Sequence, residues 1–154
     1  KAVGDDVHVH AALNREQTRT MQITLADDLC AVCSPDFAAG LGVTDGINSF
    51  ANQPLLQDGH GHWARLFAES GVQPTGRMMQ FNQTALAIDA AINGQGVTLA
   101  QMLLVQDELA SGRLVDIWQD QSTGRGGFYL IWPKSRKSAA RDALIDWILA
   151  QIKT

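Results

Sequence analysis

The stretch MMQFNQTALAIDAAINGQGVTL, residues 78–99, joins two strand patterns through a helix pattern. Met78 to Phe81 is a short apolar run, and Val97 to Leu99 is another. Between them an apolar face recurs at helical spacing, formed by Ala85, Ile88 and Ile92. Gly94 is placed to end this helix, since glycine adopts the left-handed cap conformation without strain. The stretch therefore predicts a strand–helix–strand unit.

The same alternation extends in both directions from this unit. Further strands are predicted at Val7–Leu13, Met21–Cys33, Pro54–Leu56, Leu114–Trp118 and Phe128–Trp132. Further helices are predicted at His62–Ser70, from Leu103 to Gly112, and from Ser138 onward. The run Leu29–Cys33 is apolar enough to be buried on both faces, which indicates a central strand. We therefore predict an α/β fold around a largely parallel sheet.

Composition bounds the class of protein. The chain has 154 residues, 45% of them hydrophobic, which is enough for one substantial core. Its formal net charge of −4 is a poor electrostatic match for a polyanion, so we do not expect this chain itself to bind DNA. It contains no apolar stretch long enough for a membrane span, and the residues after Lys1 do not form a secretory signal, so we predict a cytoplasmic protein.

The cysteine and histidine motifs offer weaker signals. Cys30 and Cys33 have redox spacing, but residues three apart on a strand point to opposite faces, so we expect two separate core thiols. The pairs His8/His10 and His60/His62 are spaced for chelation on a strand, yet neither pair alone supplies the three or four ligands that zinc needs. We therefore expect no metal and no cofactor. A metal-binding or small enzymatic α/β domain built on these four histidines remains the alternative.

Polar residues at the ends of predicted strands mark a candidate ligand site. In open α/β sheets, ligands bind outside the carboxyl ends of the strands. Three segments qualify: Ser34 with Pro35, the run Asn82, Gln83 and Thr84, and Ala100 with Gln101. Simple helix capping is the competing explanation for each segment. Paired-carboxylate, nucleophile and phosphate-loop motifs are all missing from the sequence, so we do not expect an enzyme.

Five segments in register resemble the effector-binding domain of LysR-type transcriptional regulators. They are LCAVCSPDF (29–37), FNQTALAIDAAINGQGVTL (81–99), DELASGRLV (107–115), FYLIWPKSR (128–136) and ALIDWI (143–148). The resemblance covers nearly the whole chain. It implies a periplasmic-binding-protein-like fold of type 2, with two α/β subdomains and a small-molecule effector in the cleft between them.

The resemblance also assigns parts of the chain. About residues 34–127 would form the second subdomain, and residues 1–33 and 128–154 the crossover strands and a remnant of the first. Carried over position by position, the effector-facing residues are Ser34, Pro35, Asn82, Gln83, Thr84, Ala100, Gln101 and Phe128.

The implied role is regulatory. Effector binding would change how a homodimer or higher homo-oligomer presents an attached winged helix-turn-helix to a promoter. That DNA-binding domain is not among these 154 residues, and the family domain starts before Lys1, so we expect DNA contact only through a domain outside this chain. A pure oligomerisation module that binds no ligand is a further alternative.

Overall fold

The computed structural model describes residues 8–10, 20–26, 28–120, 127–133 and 138–152, with side chains described for 28–120, 130 and 138–151. The chain divides into two compact units: Lys1–Asp27 together with Gly124–Thr154, and Asp28–Thr123. No helix within the described ranges is long and apolar enough to cross a bilayer.

The first unit contains a three-stranded antiparallel sheet and one helix. Its strands are β1 (His8–His10), β2 (Thr20–Ala26) and β8 (Gly127–Pro133), in the order β1-β8-β2. Leu130, in the middle strand, is fully buried opposite Val9 on one side and Ile23 on the other. Helix α5 (Ala139–Ile152) follows, as the apolar stripe in that segment predicts.

The second unit contains a five-stranded mixed sheet in the order β5-β4-β6-β3-β7. Its strands are β3 (Leu29–Cys33), β4 (Leu55–Gln57), β5 (Met78–Gln80), β6 (Val97–Gln101) and β7 (Val115–Gln119). Its helices are α1 (Pro35–Ala39), α2 (His62–Ser70), α3 (Thr84–Ile92) and α4 (Met102–Ala110), with a 3-10 helix at Ile47–Phe50. The strand–helix–strand unit at residues 78–99 is confirmed, and the 3-10 helix lies where the sequence analysis predicts neither a strand nor a helix.

Strand β3 occupies the centre of the sheet and runs against its neighbours. It pairs antiparallel with β6 on one side and β7 on the other, whereas β4 is parallel to both β5 and β6. Its apolar run is buried on both faces, as its composition predicts. The resemblance predicts a second subdomain from about residue 34; the second unit begins at Asp28, and β3 belongs to it because β6 and β7 flank this strand.

The two faces of this sheet carry different cores. Small residues of α3, such as Ala87 and Ala91, pack with Cys30 and Leu56 on one face. The other face is aromatic, with Trp63 of α2 stacked on the ring of Phe67 and tilted against that of Phe50. The two cysteines divide between these cores, Cys30 in the first and Cys33 in the second, and both are fully buried. The prediction of two separate core thiols is confirmed.

Candidate functional site

The parallel strands β4, β5 and β6 all end at one edge of the five-stranded sheet. Helix α2 follows β4 at this edge, and α3 follows β5, so the N-termini of both helices meet polar side chains there. We call this edge the polar edge and define it by Gln57, Asp58, His60, Thr84 and Gln101. In an open α/β sheet this is the place where ligands bind.

Gln57 ties two elements of the polar edge together. Its Oε1 accepts a hydrogen bond from the backbone N of Ala64 at 2.9 Å, in the first turn of α2. Its Nε2 donates to Oε1 of Gln80, at the end of β5, at 3.3 Å. Gln57 is buried, and these bonds satisfy both ends of its amide. The start of α2 is therefore held to the ends of two strands.

Asp58 is the most heavily bonded side chain of the polar edge. Its Oδ2 accepts from the Thr84 hydroxyl at 2.6 Å and from Nδ1 of His60 at 2.9 Å, and its Oδ1 accepts from the His60 backbone N at 3.0 Å. The Asp58 side chain is only 4% exposed, against 50% for His60. Burial alone raises the pKa of Asp58, but hydrogen bonds from Thr84 and His60 and the charge of His60 outweigh it and hold the pKa below its ordinary value. Asp58 is therefore an ionised, acceptor-only group.

His62 begins α2 beside this group. Burial lowers the pKa of His62, and the nearby charges of His60 and Arg65 act in the same direction, against Asp58 and Asp120. The rings of His60 and His62 stack nearly parallel with centroids 5.5 Å apart. Within residues 28–120, 130 and 138–151, no group of three His, Cys, Asp or Glu side chains is placed to hold a metal ion. The side chains of His8 and His10 lie outside the described residues.

The segment Asn82–Thr84 lies between β5 and α3, at the polar edge. Asn82 and Gln83 are exposed, and Thr84 is half-buried. Helix capping is the wrong interpretation of this segment: Gln83 is the N-cap residue and makes no side-chain cap bond, while the Thr84 hydroxyl donates to Asp58. A helix cap considers only partners a few residues away. The Thr84 hydroxyl donates instead to the buried carboxylate of Asp58, a stronger acceptor that lies 26 positions away.

Ala100 and Gln101 close strand β6, but they face different surroundings. The Ala100 side chain is buried in the core beneath α3, and its carbonyl accepts from the Cys30 thiol at 3.3 Å. Gln101 is 9% exposed and is the N-cap residue of α4, where its side chain makes no cap hydrogen bond. Because Val97 and Leu99 pack in the aromatic core, alternation along the strand directs Gln101 to the face that carries α2.

Ser34 and Pro35 lie at the opposite edge of the sheet. Strand β3 runs antiparallel to β6, so its carboxyl end lies next to the beginning of β6. There the Ser34 hydroxyl accepts from the Phe37 backbone N at 3.3 Å and caps α1, with Pro35 in the first turn. An open depression of about 480 Å³ lies beside them. The structure thus does not bring Ser34 and Pro35 together with Thr84, and the side chain of Phe128 lies outside the described residues.

Asp58 is missing from the residues that the sequence analysis selects, and His60 appears there only as part of the alternative metal-binding or enzymatic site. A signal for Asp58 is present in the sequence, because it comes two residues after the short apolar run Leu55–Leu56. The rule that selects Asn82 and Gln101, a polar residue at the carboxyl end of a strand, selects Asp58 equally. The bond from Thr84 to Asp58 is a tertiary contact, and nothing in the local pattern indicates it.

Comparisons with known proteins agree with this architecture. The family described as "LysR substrate binding domain" matches residues 9–153. The "Glycine cleavage system transcriptional activator" of Escherichia coli (strain K12) is 29% identical over 155 residues, covering 97% of this chain. The chain spans about half of that relative, 51% of its length.

Two solved structures share the fold. The AmpR effector binding domain from Citrobacter freundii matches 96% of this chain and 74% of its own, with 22% identity and a TM-score of 0.67. The regulatory domain of CrgA, a LysR-type transcriptional regulator from Neisseria meningitidis, matches 96% and 75%, with 14% identity and a TM-score of 0.70. These domains have the periplasmic-binding-protein-like fold of type 2, so the predicted fold is confirmed. With the family match over almost its entire length, the chain belongs to the LysR substrate-binding domain family.

Proposed function

We propose that this chain is the effector-sensing domain of a LysR-type transcriptional regulator and that it binds a small molecule at the polar edge. The observation that carries the proposal is the hydrogen bond from Thr84 to the buried carboxylate of Asp58 at the carboxyl ends of parallel strands. A buried ion fixed by three donors gives a rigid polar surface, and rigid polar groups are what orient small ligands. Family membership supports the sensing role.

The proposed contacts surround Thr84. Asn82 and Gln83 are exposed beside it and carry amide donors and acceptors. Gln101 is nearly buried at the same edge, and because its side chain makes no cap bond to α4, its amide is a further proposed ligand contact. Ser34 and Pro35 are not among the proposed contacts, because they lie at the opposite edge of the sheet. Ala100 is not among them either, because its side chain is buried in the core.

A thermal-shift screen tests the proposal. The chain is melted with amino acids, small organic acids and cell-wall fragments, since a ligand that prefers the folded state raises Tm. We expect at least one class to raise Tm, and Thr84→Val to weaken its affinity by about tenfold, the loss expected from removing one hydrogen bond. Ser49→Ala is the matched control, because Ser49 also donates to a carboxylate, that of Asp45 at 3.0 Å, on an exposed segment.

Two results would contradict the proposal. One is an unchanged Tm of the wild-type chain across the whole panel. The other is a Thr84→Val variant that binds the same ligand as tightly as Ser49→Ala.

The biological setting follows the family. The proposed partners are a small-molecule effector, a second copy of the chain, and DNA only through a winged helix-turn-helix outside these residues. Transcriptional regulators among the relatives support a non-enzymatic role, and we place it in the cytoplasm, where the promoter is.

An exposed apolar patch favours self-association. On α5, Trp147 is 61% exposed and Leu144 is 44% exposed, and the two lie three residues apart on one face. Water-exposed tryptophan is unusual for a surface without a partner and is enriched at interfaces. We expect Trp147→Arg to lower the oligomeric state measured by light scattering. An unchanged mass at every concentration would remove α5 from the interface.

A further inference from the structure

The single proton of the Thr84 hydroxyl is already donated in a hydrogen bond. Thr84 Oγ1 donates to Oδ2 of Asp58 at 2.6 Å, a length typical of a hydroxyl bonded to an ionised carboxylate. A carboxylate without a proton cannot donate in return. The direction of this bond is therefore fixed, with the proton between the two oxygens and the lone pairs of Thr84 facing elsewhere.

His60 reinforces that direction. Its Nδ1 lies 2.9 Å from the same oxygen, Oδ2, and its backbone N donates to Oδ1 at 3.0 Å. Because an ionised carboxylate only accepts, Nδ1 of His60 must carry a proton. Oδ2 thus accepts hydrogen bonds from two donors. Because the Asp58 side chain is only 4% exposed, it stays in place, and the Thr84 proton remains directed at Oδ2 rather than at a ligand.

The start of α3 needs no second anion. The N-terminus of a helix favours negative charge, and the carboxylate of Asp58 already lies beside Thr84, the first residue of α3. A ligand carboxylate placed against Thr84 would meet a hydroxyl oxygen with no proton to offer and a fixed negative charge behind it. A ligand ammonium or N–H group would meet a lone pair and an attractive charge.

From this geometry we propose that the effector presents a hydrogen-bond donor, an ammonium or other N–H group, to Thr84 Oγ1, and that Asp58 is the positioning residue that sets this polarity. The inference rests on the proposed function and narrows it to amine-bearing small molecules. Asp58 itself does not touch the ligand; it acts by orienting the Thr84 hydroxyl.

Matched probes test the polarity. Binding of alanine and serine to the whole chain is compared by calorimetry with binding of propionate and 3-hydroxypropionate, which lack only the ammonium group. We expect the amine-bearing member of each pair to bind at least about tenfold more tightly, the effect of one charge-assisted hydrogen bond. Equal binding within the pairs would overturn the inference and leave the proposed function standing.

The Asp58→Asn variant gives the sharper result. Its amide nitrogen would donate to Thr84 Oγ1 and free the Thr84 proton to point toward a ligand. We expect the preference for the amine-bearing probe to shrink by at least about tenfold or to reverse. Asp45→Asn, at the exposed Ser49 pair, is the control and should keep the wild-type ratio. A merely structural role for Asp58 would weaken all four probes equally, which would overturn the inference.

A measurement without ligand guards against variants that fail to fold. In the wild-type chain, the Thr84 hydroxyl proton should give a slowly exchanging, downfield NMR resonance that Thr84→Ser retains and Thr84→Val lacks. Absence of that resonance would overturn the fixed polarity. If the resonance is present and none of the four probes binds, amine recognition at Thr84 is overturned, and the wider panel above decides the proposed function separately.

Discussion

The two edges of the five-stranded sheet are held together by different kinds of contact. At the polar edge, side chains bond to other side chains: Thr84 to Asp58, and Gln57 to Gln80. At the opposite edge, which we call the backbone edge and define by Ser34, Pro54, Gly76 and Gly96, the contacts are mostly between main-chain atoms. There the Val97 backbone N donates to the carbonyl of Pro54 at 3.0 Å.

This difference separates stability from binding. Loops that pack closely through main-chain contacts leave almost no space for an added atom. They also offer few groups that could bind a ligand. Polar side chains held by partners 26 positions away can change identity and alter what is bound while the sheet persists. Substitutions at the backbone edge should therefore change folding, and substitutions at the polar edge should change ligand preference.

The largest expected effect is that of Gly96→Ala at the backbone edge. Gly96 has φ +156°, and a Cβ there would overlap the backbone carbonyl oxygen of Pro54. Overpacking and strained backbone together should lower the free energy of unfolding by about 3 kcal/mol or more. Urea unfolding measures this, with Gly42→Ala as control because a Cβ at Gly42 meets nothing within 4 Å. A loss no greater than that of the control would show that the loops around Pro54 yield easily.

A smaller effect is expected from Ser34→Ala. The change removes the bond from the Phe37 backbone N to the Ser34 hydroxyl, and loss of an N-cap side chain costs about 1 kcal/mol. Ligand affinity should stay at the wild-type value, because Ser34 lies at the backbone edge. Urea unfolding and calorimetry on the same preparation check both parts. A tenfold loss of affinity in this variant would mean that the two edges are not independent.

The smallest effect is a pH dependence at the polar edge. The folded pKa of His62 lies below its ordinary value of 6.5, so the unfolded chain binds more protons as pH falls below about 6.5. The contribution of His62 to stability is complete above that pH and is lost as pH falls toward the folded pKa. Wild-type Tm should therefore fall between pH 7.5 and pH 5.5 by more than that of His62→Asn.

A matched control sharpens this measurement. Ser34→Ala leaves His62 and its neighbours Asp58, His60, Arg65 and Asp120 unchanged, so it should keep the wild-type dependence of Tm on pH. An identical dependence of Tm on pH for wild type and His62→Asn would show that burial does not lower the pKa of His62.

Much of the fold follows from local patterns. The central place of β3 follows from the apolar run Leu29–Cys33, and the end of α3 follows from Gly94, whose φ is +72°. The direction of β3 does not follow, because an apolar run buried on both faces has the same composition in a parallel and an antiparallel position. That one ambiguity places Ser34 with Thr84 in the sequence analysis and at opposite edges in the structure.

The site is less predictable for a related reason. Thr84 is selected from the sequence as a polar residue near the end of a strand, but its partner Asp58 is reached only through the packing of α3 against β4. Local rules consider partners a few residues away, so they assign the Thr84 hydroxyl to a helix cap. Long-range hydrogen bonds decide what a hydroxyl presents to a ligand, and short windows of sequence do not contain them.

The central position of β3 has a consequence for synthesis on the ribosome. This strand is made first in its unit, yet its neighbours arrive last: Cys30 lies opposite Ala100, 70 positions later, and opposite Gln119 later still. Such non-local pairing slows folding. An apolar strand with two unpaired edges must wait, exposed, until the chain has been extended past Gln119, and strands in that condition join other chains readily. The nascent domain is therefore a natural client for chaperones that shield extended apolar segments.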